Sequence, residues 1–169
     1  MEKLIKIGNN SILLKTTAGV LIHYKQQFGR DYNEDYIELQ ELDREAAQEK
    51  FIDIGFQLLW SMAKTADPSV PPPESWHLDI ETPDLIKLIF DAVGLFNEAL
   101  TDVNTEDSGS GKSFSVEALI AEALICGLTV KDLDNMSLPM VLNTLEEWCI
   151  VKGYTEDVVN ATQEDFDNF

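Results

Sequence analysis

The sequence predicts a mainly α protein: a small N-terminal β-hairpin with a helical bundle, a flexible linker, then a short helical C-terminal lobe. Three observations carry that prediction. Apolar residues recur three and four positions apart through most of the chain, the interval that lines one face of a helix. Short apolar runs that flank a Gly-Asn turn stand only at the start. Ser, Thr and Gly residues sit where helices need caps and stops.

The elements follow in order. Leu4 to Ile7 and Ile12 to Lys15 flank Gly8-Asn9-Asn10, residue types that tolerate the positive φ of tight hairpin turns. A helix is expected from near Thr17, with Val20, Leu21, Tyr24 and Phe28 as its apolar stripe and Gly29 as its stop. Tyr32, Tyr36, Ile37, Leu39 and Leu42 mark a second, acidic helix. From about Glu45, Ala47, Phe51, Ile54, Leu58 and Met62 share a face, and Phe56, Leu59 and Trp60 widen it. A helix so clothed is either central to a core or covered by a partner. It should end before Asp67-Pro68, and Pro71-Pro72-Pro73 predicts an extended connector.

Thr82 is then placed as an N-cap with Pro83 in the first helical position. Leu85, Leu88, Ile89, Ala92, Leu95, Phe96, Ala99 and Leu100 continue as a long amphipathic helix. The polar run from Asn104 to Lys112 reads as a flexible linker. Beyond it Ser115 is an expected cap, with Phe114 and Leu119 as a hydrophobic staple. Leu119, Ala123 and Cys126 share a face that Gly127 ends. Thr129 with Asp132 reads as a capped short helix, and Ser137 caps the last one. There Leu138, Leu142, Leu145 and Trp148/Cys149 form the stripe and Gly153 the stop. The expected organisation is thus 1–103, a linker 104–113, a helical extension 114–153, and an acidic tail 154–169 expected to be disordered. Whether the two helical segments share one core is left open.

The charge is uneven. Residues 1–30 carry five cations against one acid, residues 31–113 five against nineteen, and residues 114–169 two against eleven. A net charge of −19 argues against recognition of nucleic-acid phosphate and favours a basic or polar-rimmed protein partner. No apolar window reaches the ~18 residues of a membrane span, and the opening MEKLIKIGNN is short of a secretory signal. The expected location is the cytoplasm. Cys126 and Cys149 fall within apolar helical patterns and are expected as reduced, buried thiols.

Motifs for chemistry are weak. Gly109 to Ser113 reads GSGKS, yet the glycine that a phosphate loop needs five positions before Gly111 is Glu106. His23 and His77 are the two histidines, and neither has a ligand or base partner at a recognisable spacing. Pairs such as Glu34/Asp35, Glu146/Glu147 and Asp165/Asp167 fit solvated faces. No catalytic residue, metal ligand or cofactor is expected; a hydrolase would need a site built around His23 or His77. Trp60, Trp76 and Trp148 are the residues of the type that anchors interfaces.

Two stretches resemble a known family. KTTAGVLIHYKQQFGRDY, Lys15 to Tyr32, supplies Lys15, Ala18, Gly19, Tyr24 and the Phe28-Gly29-Arg30-Asp31 stop. FIDIGFQLLWSMAKTADPSVPPPESW, Phe51 to Trp76, supplies Leu59, Trp60, Met62, Ala63 and Lys64 before Ala66-Asp67-Pro68. Together, over roughly residues 1–102, they are similar to the tail assembly chaperones of long-tailed bacteriophages. The later segment ALICGLTVKDLDNMSLPMVLNTLEEW resembles the extension of the longer family form, made by a ribosomal frameshift whose junction would fall at Gly111-Lys112.

That resemblance implies a non-enzymatic protein of the host bacterial cytoplasm, absent from the mature virion. It implies binding to the tape measure protein by the N-terminal part and recruitment of tail tube subunits by the extension, with homo-oligomers possible and no nucleic acid or membrane partner. Leu59, Trp60 and Trp76 are then the expected contacts for the first partner, and Leu142, Leu145 and Trp148 for the second. An acidic protein-binding module, mimicking DNA or sequestering a basic regulator, is the alternative.

Overall fold

A computed structural model describes residues 2–7, 10–76, 80–100 and 115–154. The expected linker, the Phe114 staple, His77 and the tail beyond Tyr154 lie outside those residues. Strand β1 (Glu2–Ile7) pairs antiparallel with β2 (Asn10–Lys15), Leu4 opposite Leu13 and Ile5 opposite Ile12. Alternation turns Ile5, Ile12 and Leu14 toward the core and leaves Leu4 and Leu13 on the outer face. The described elements are therefore mainly helical, with one N-terminal hairpin.

Helix α1 (Gly19–Phe28) ends at Gly29, whose left-handed backbone returns its N–H to the Lys25 carbonyl. Helix α2 (Tyr32–Glu41) follows, then α3 (Arg44–Ala66), capped by the Asp43 side chain on the amides of Glu45 and Ala46. The helix predicted to be apolar nearly all round is central: α3 packs on β2, α1, α2 and α4, and Leu58, Leu59 and Met62 are fully covered. No partner is needed to explain its apolar surface.

Helix α4 (Thr82–Leu100) starts one residue earlier than expected, since the Leu85 amide bonds the Glu81 carbonyl and Thr82 is the first helical residue. It crosses α3 closely at Gly55, where an added Cβ would meet Ile89 Cγ2 at 2.4 Å. The stripe predicted on α4 faces inward, with Leu88, Ile89, Ala92, Leu95 and Phe96 buried.

Helices α5 (Val116–Ile125), α6 (Val130–Leu133) and α7 (Leu138–Lys152) carry the caps expected of them. Ser115 accepts from Ala118 N, Thr129 and Asp132 form a reciprocal capping box, and Ser137 accepts from Met140 N. Gly153 ends α7 in the left-handed region, and Tyr154 returns its amide to Cys149 O. The inward stripe of α7 differs by one residue from the expected one: Leu138, Val141 and Leu145 are buried, whereas Leu142 is half covered. Helix α7 meets both α4 and α5, and Val141 is fully buried there.

The question of one core or two is answered by packing. Helices α5 and α6 lie on α1, α7 lies on α4, and one cluster of buried residues runs from Leu14 through Leu58 and Phe96 to Leu119 and Val141. Side-chain hydrogen bonds reinforce it: Thr17 Oγ1 donates to Asp134 O at 3.1 Å, and Lys15 Nζ donates to Asn135 Oδ1 at 2.9 Å.

Candidate interaction surfaces

Among the described residues, no group of His, Cys, Asp and Glu could hold a metal, and no helix is long and apolar enough to cross a membrane. Polar chemistry inside the fold is concentrated where α1 turns into α2. Tyr24 OH donates to Asp35 Oδ2 at 2.7 Å, and Arg30 Nε reaches the other oxygen of the same buried carboxylate at 2.8 Å. Asp31, also buried, meets Lys25 Nζ at 3.2 Å, and Lys25 also reaches Glu117 at 3.2 Å. Burial, followed by Asp35, pushes the Tyr24 phenol well above its ordinary range. Each buried acid thus has a cation, which is the condition for carrying charge inside a fold. This network ties α1 to α2 and α5.

His23 sits between α1 and the α6 turn, its Nε2 3.8 Å from Asp134 Oδ1. Burial lowers its pKa; Asp134 opposes that shift and Lys64 adds to it. It is half-buried where α1 meets the α6 turn.

The six residues expected at interfaces are dispersed by the fold. Leu59 is 0 % exposed and Trp60 3 %. Trp60 stands edge-on to Phe28 with centroids 5.7 Å apart, and its Nε1 donates to Pro71 O at 2.8 Å. Lys64 Nζ also donates to this connector, at Pro68 O and Val70 O. Leu145 is buried as well. These three side chains hold the core and the connector together, and covered atoms offer a partner no surface. Trp76 is half-buried against Phe56 (5.8 Å), Leu142 is half-buried, and Trp148 is half-buried against Tyr154 (5.7 Å) with Lys152 Nζ over its ring.

Other residues form the exposed apolar surface. On α4, Ile86 and Phe90 are one turn apart and exposed, Phe90 by 56 %. Phe51 of α3 meets the Phe90 ring at 4.8 Å, so the two helices present one apolar ridge. At the other end of the chain, Leu124 and Ile125 close α5 while Ile150 and Val151 close α7; Ile125 is 68 % and Val151 79 % exposed. Helix α5 packs on α7, and the Cys126 thiol, next to Ile125, senses Cys149, next to Ile150, which sets these two helix ends near each other. The signal for the second surface was present in VEALIAEALI, Val116 to Ile125, which has more apolar positions than one buried face requires. Exposed apolar area of this kind is what protein-binding surfaces are made of.

The described elements therefore define a small helical protein whose candidate sites are surfaces. Comparisons of the chain with protein-family models, with characterised proteins and with solved structures found no match in any of the three.

Proposed function

We propose that this chain is a non-enzymatic tail assembly chaperone that binds a tape measure protein and recruits tail tube subunits during tail morphogenesis. The observation that carries the reading is the presence of separate exposed apolar surfaces, around Phe90 and around Ile125, on a molecule of net charge −19. The likeness of residues 1–102 to that family supports it. A tape measure protein is a long helical chain whose apolar stripes aggregate when bare. The ridge of Ile86, Phe90 and Phe51 would cover such a stripe by helix packing. The ends of α5 and α7 would meet tube subunits, and the acidic surface would keep the many-copy complex dissolved.

The test is co-expression of the whole chain with the tape measure protein of the same genome, read by solubility and co-purification. The reading expects the tape measure to become soluble with several copies of this chain bound. A tape measure that stays insoluble, with nothing co-purifying, overturns it and favours the acidic module. The whole chain is required because α5, α6 and α7 cover α1 and α4, so truncation at the expected linker bares apolar surface that the native molecule hides.

A further inference from the structure

The sheet has two strands, β1 and β2, and α3 packs on β2. Among the described residues no further strand or backbone hydrogen bond meets the outer edge of β1, where Glu2, Leu4 and Lys6 are exposed. Which peptide groups point there follows from the register. Ile7 and Asn10 form the closing pair around two intervening residues. Antiparallel pairs alternate between doubly hydrogen-bonded and non-bonded. A non-bonded closing pair here would require a bond between the adjacent residues 8 and 9, which chain geometry forbids. Ile7/Asn10 is therefore a bonded pair, and so are Ile5/Ile12 and Lys3/Leu14. Glu2, Leu4 and Lys6 direct their own N–H and C=O groups to the open edge.

From this we infer that β1 pairs with β1 of a second copy, antiparallel about a two-fold axis at Leu4, joining two hairpins into one four-stranded sheet. Leu4 then bonds Leu4 of the other copy, and Glu2 stands opposite the other copy's Lys6. Glu2 and Lys6 are placed symmetrically about Leu4, so one operation makes two opposite-charge pairs, as a self-complementary interface requires. On the outer face Leu13 and Leu4 line up with their copies. Leu4 is 54 % and Leu13 37 % exposed in the single chain, and this row covers them.

The register is selective. Sliding by two residues in one direction sets Lys3 opposite Lys3, and in the other it sets Lys6 opposite Leu4 and leaves Glu2 without a partner. Edge lysines ordinarily deter strand addition; Lys6 is neutralised here by the matching Glu2. Charge also selects the occupant. Glu2 pairs with Lys15 at 3.5 Å within the chain, so each Glu2 would bridge Lys15 of its own strand partner and Lys6 of the second copy.

The experiment is sedimentation equilibrium on the full, untagged chain across a concentration series. The expected species has twice the 19.0 kDa mass of the chain. Leu4→Pro removes one outward N–H without touching the β1–β2 ladder, which an edge strand tolerates. It should give monomer with unchanged helical circular dichroism. Glu2→Lys and Lys6→Glu should each weaken the dimer by about tenfold, from two symmetric cross-strand pairs, and the double exchange E2K/K6E should restore it. A chain that is monomeric throughout the series overturns the inference. So does a dimer that none of these variants moves.

Discussion

The amide of Ala18 donates to the carbonyl of Met136 across 3.0 Å, tying the start of α1 to the turn between α6 and α7. Next to this bond Gly19 lies so close to Asp134 that an added Cβ would stand 2.2 Å from its Oδ1 and 2.9 Å from its Cα. The C-terminal helices are fixed to the first helix by backbone as well as by apolar side chains.

Gly19→Ala should therefore force the α6 turn away from α1. Overpacking of this kind costs about 1–3 kcal/mol, measured as a lower urea midpoint. A variant as stable as the parent would show that the turn moves aside without loss.

Tyr24→Phe deletes the bond to Asp35 Oδ2 and leaves that buried carboxylate with Arg30 alone. The expected loss is about 1–3 kcal/mol, the cost of stranding a buried acceptor. The phenol, with the Tyr32 phenol that burial also raises, contributes to an alkaline limit. Its folded pKa is raised by burial, so the unfolded chain loses this proton first and stability falls as pH rises beyond about 10. Tyr24→Phe should flatten that part of the stability–pH curve; an unchanged alkaline limb would assign it to other groups.

His23 acts in the opposite direction. Burial holds its folded pKa below the ordinary 6.5, so the unfolded chain takes up the proton more readily. Stability is then fully present above about 6.5 and declines as pH falls through the lowered folded value. His23→Gln should remove the decline that sets in below about pH 6.5, before the loss from Glu38 and Glu117 begins as the unfolded chain protonates near the ordinary 4.5. Urea midpoints at two pH values decide it: equal pH dependence in parent and variant rejects the assignment.

Phe90→Asp and Ile125→Asp should separate folding from binding. Both side chains are largely exposed; Phe90→Asp loses the ring contact with Phe51, worth about 0.5–1.5 kcal/mol, and Ile125→Asp should cost less. Under the proposed function, Phe90→Asp abolishes rescue of the tape measure, and Ile125→Asp spares that rescue while losing tube-subunit capture. Co-expression with each partner reads both. Full rescue by Phe90→Asp would place the contact elsewhere.

The sequence determined what short-range chemistry determines. Ser115, Thr129 with Asp132, and Ser137 cap amides three residues away, and Gly29 and Gly153 stop helices through their own backbone. Such bonds form within one turn, so their signals are local and legible. The inward stripe of α4 was legible for the same reason, as was the hairpin. Tertiary structure alone decided which apolar faces are covered. Leu59, Trp60 and Leu145 lie in the core while Phe90, Ile125 and Val151 face outward, although hydrophobicity ranks them alike. Burial depends on which helix arrives from elsewhere in the chain, as α7 does on α4 and α5 does on α1. The burial of Asp31 and Asp35 beside Lys25 and Arg30, and the need for glycine at positions 19 and 55, follow from the same long-range approach, which periodicity along one segment does not encode.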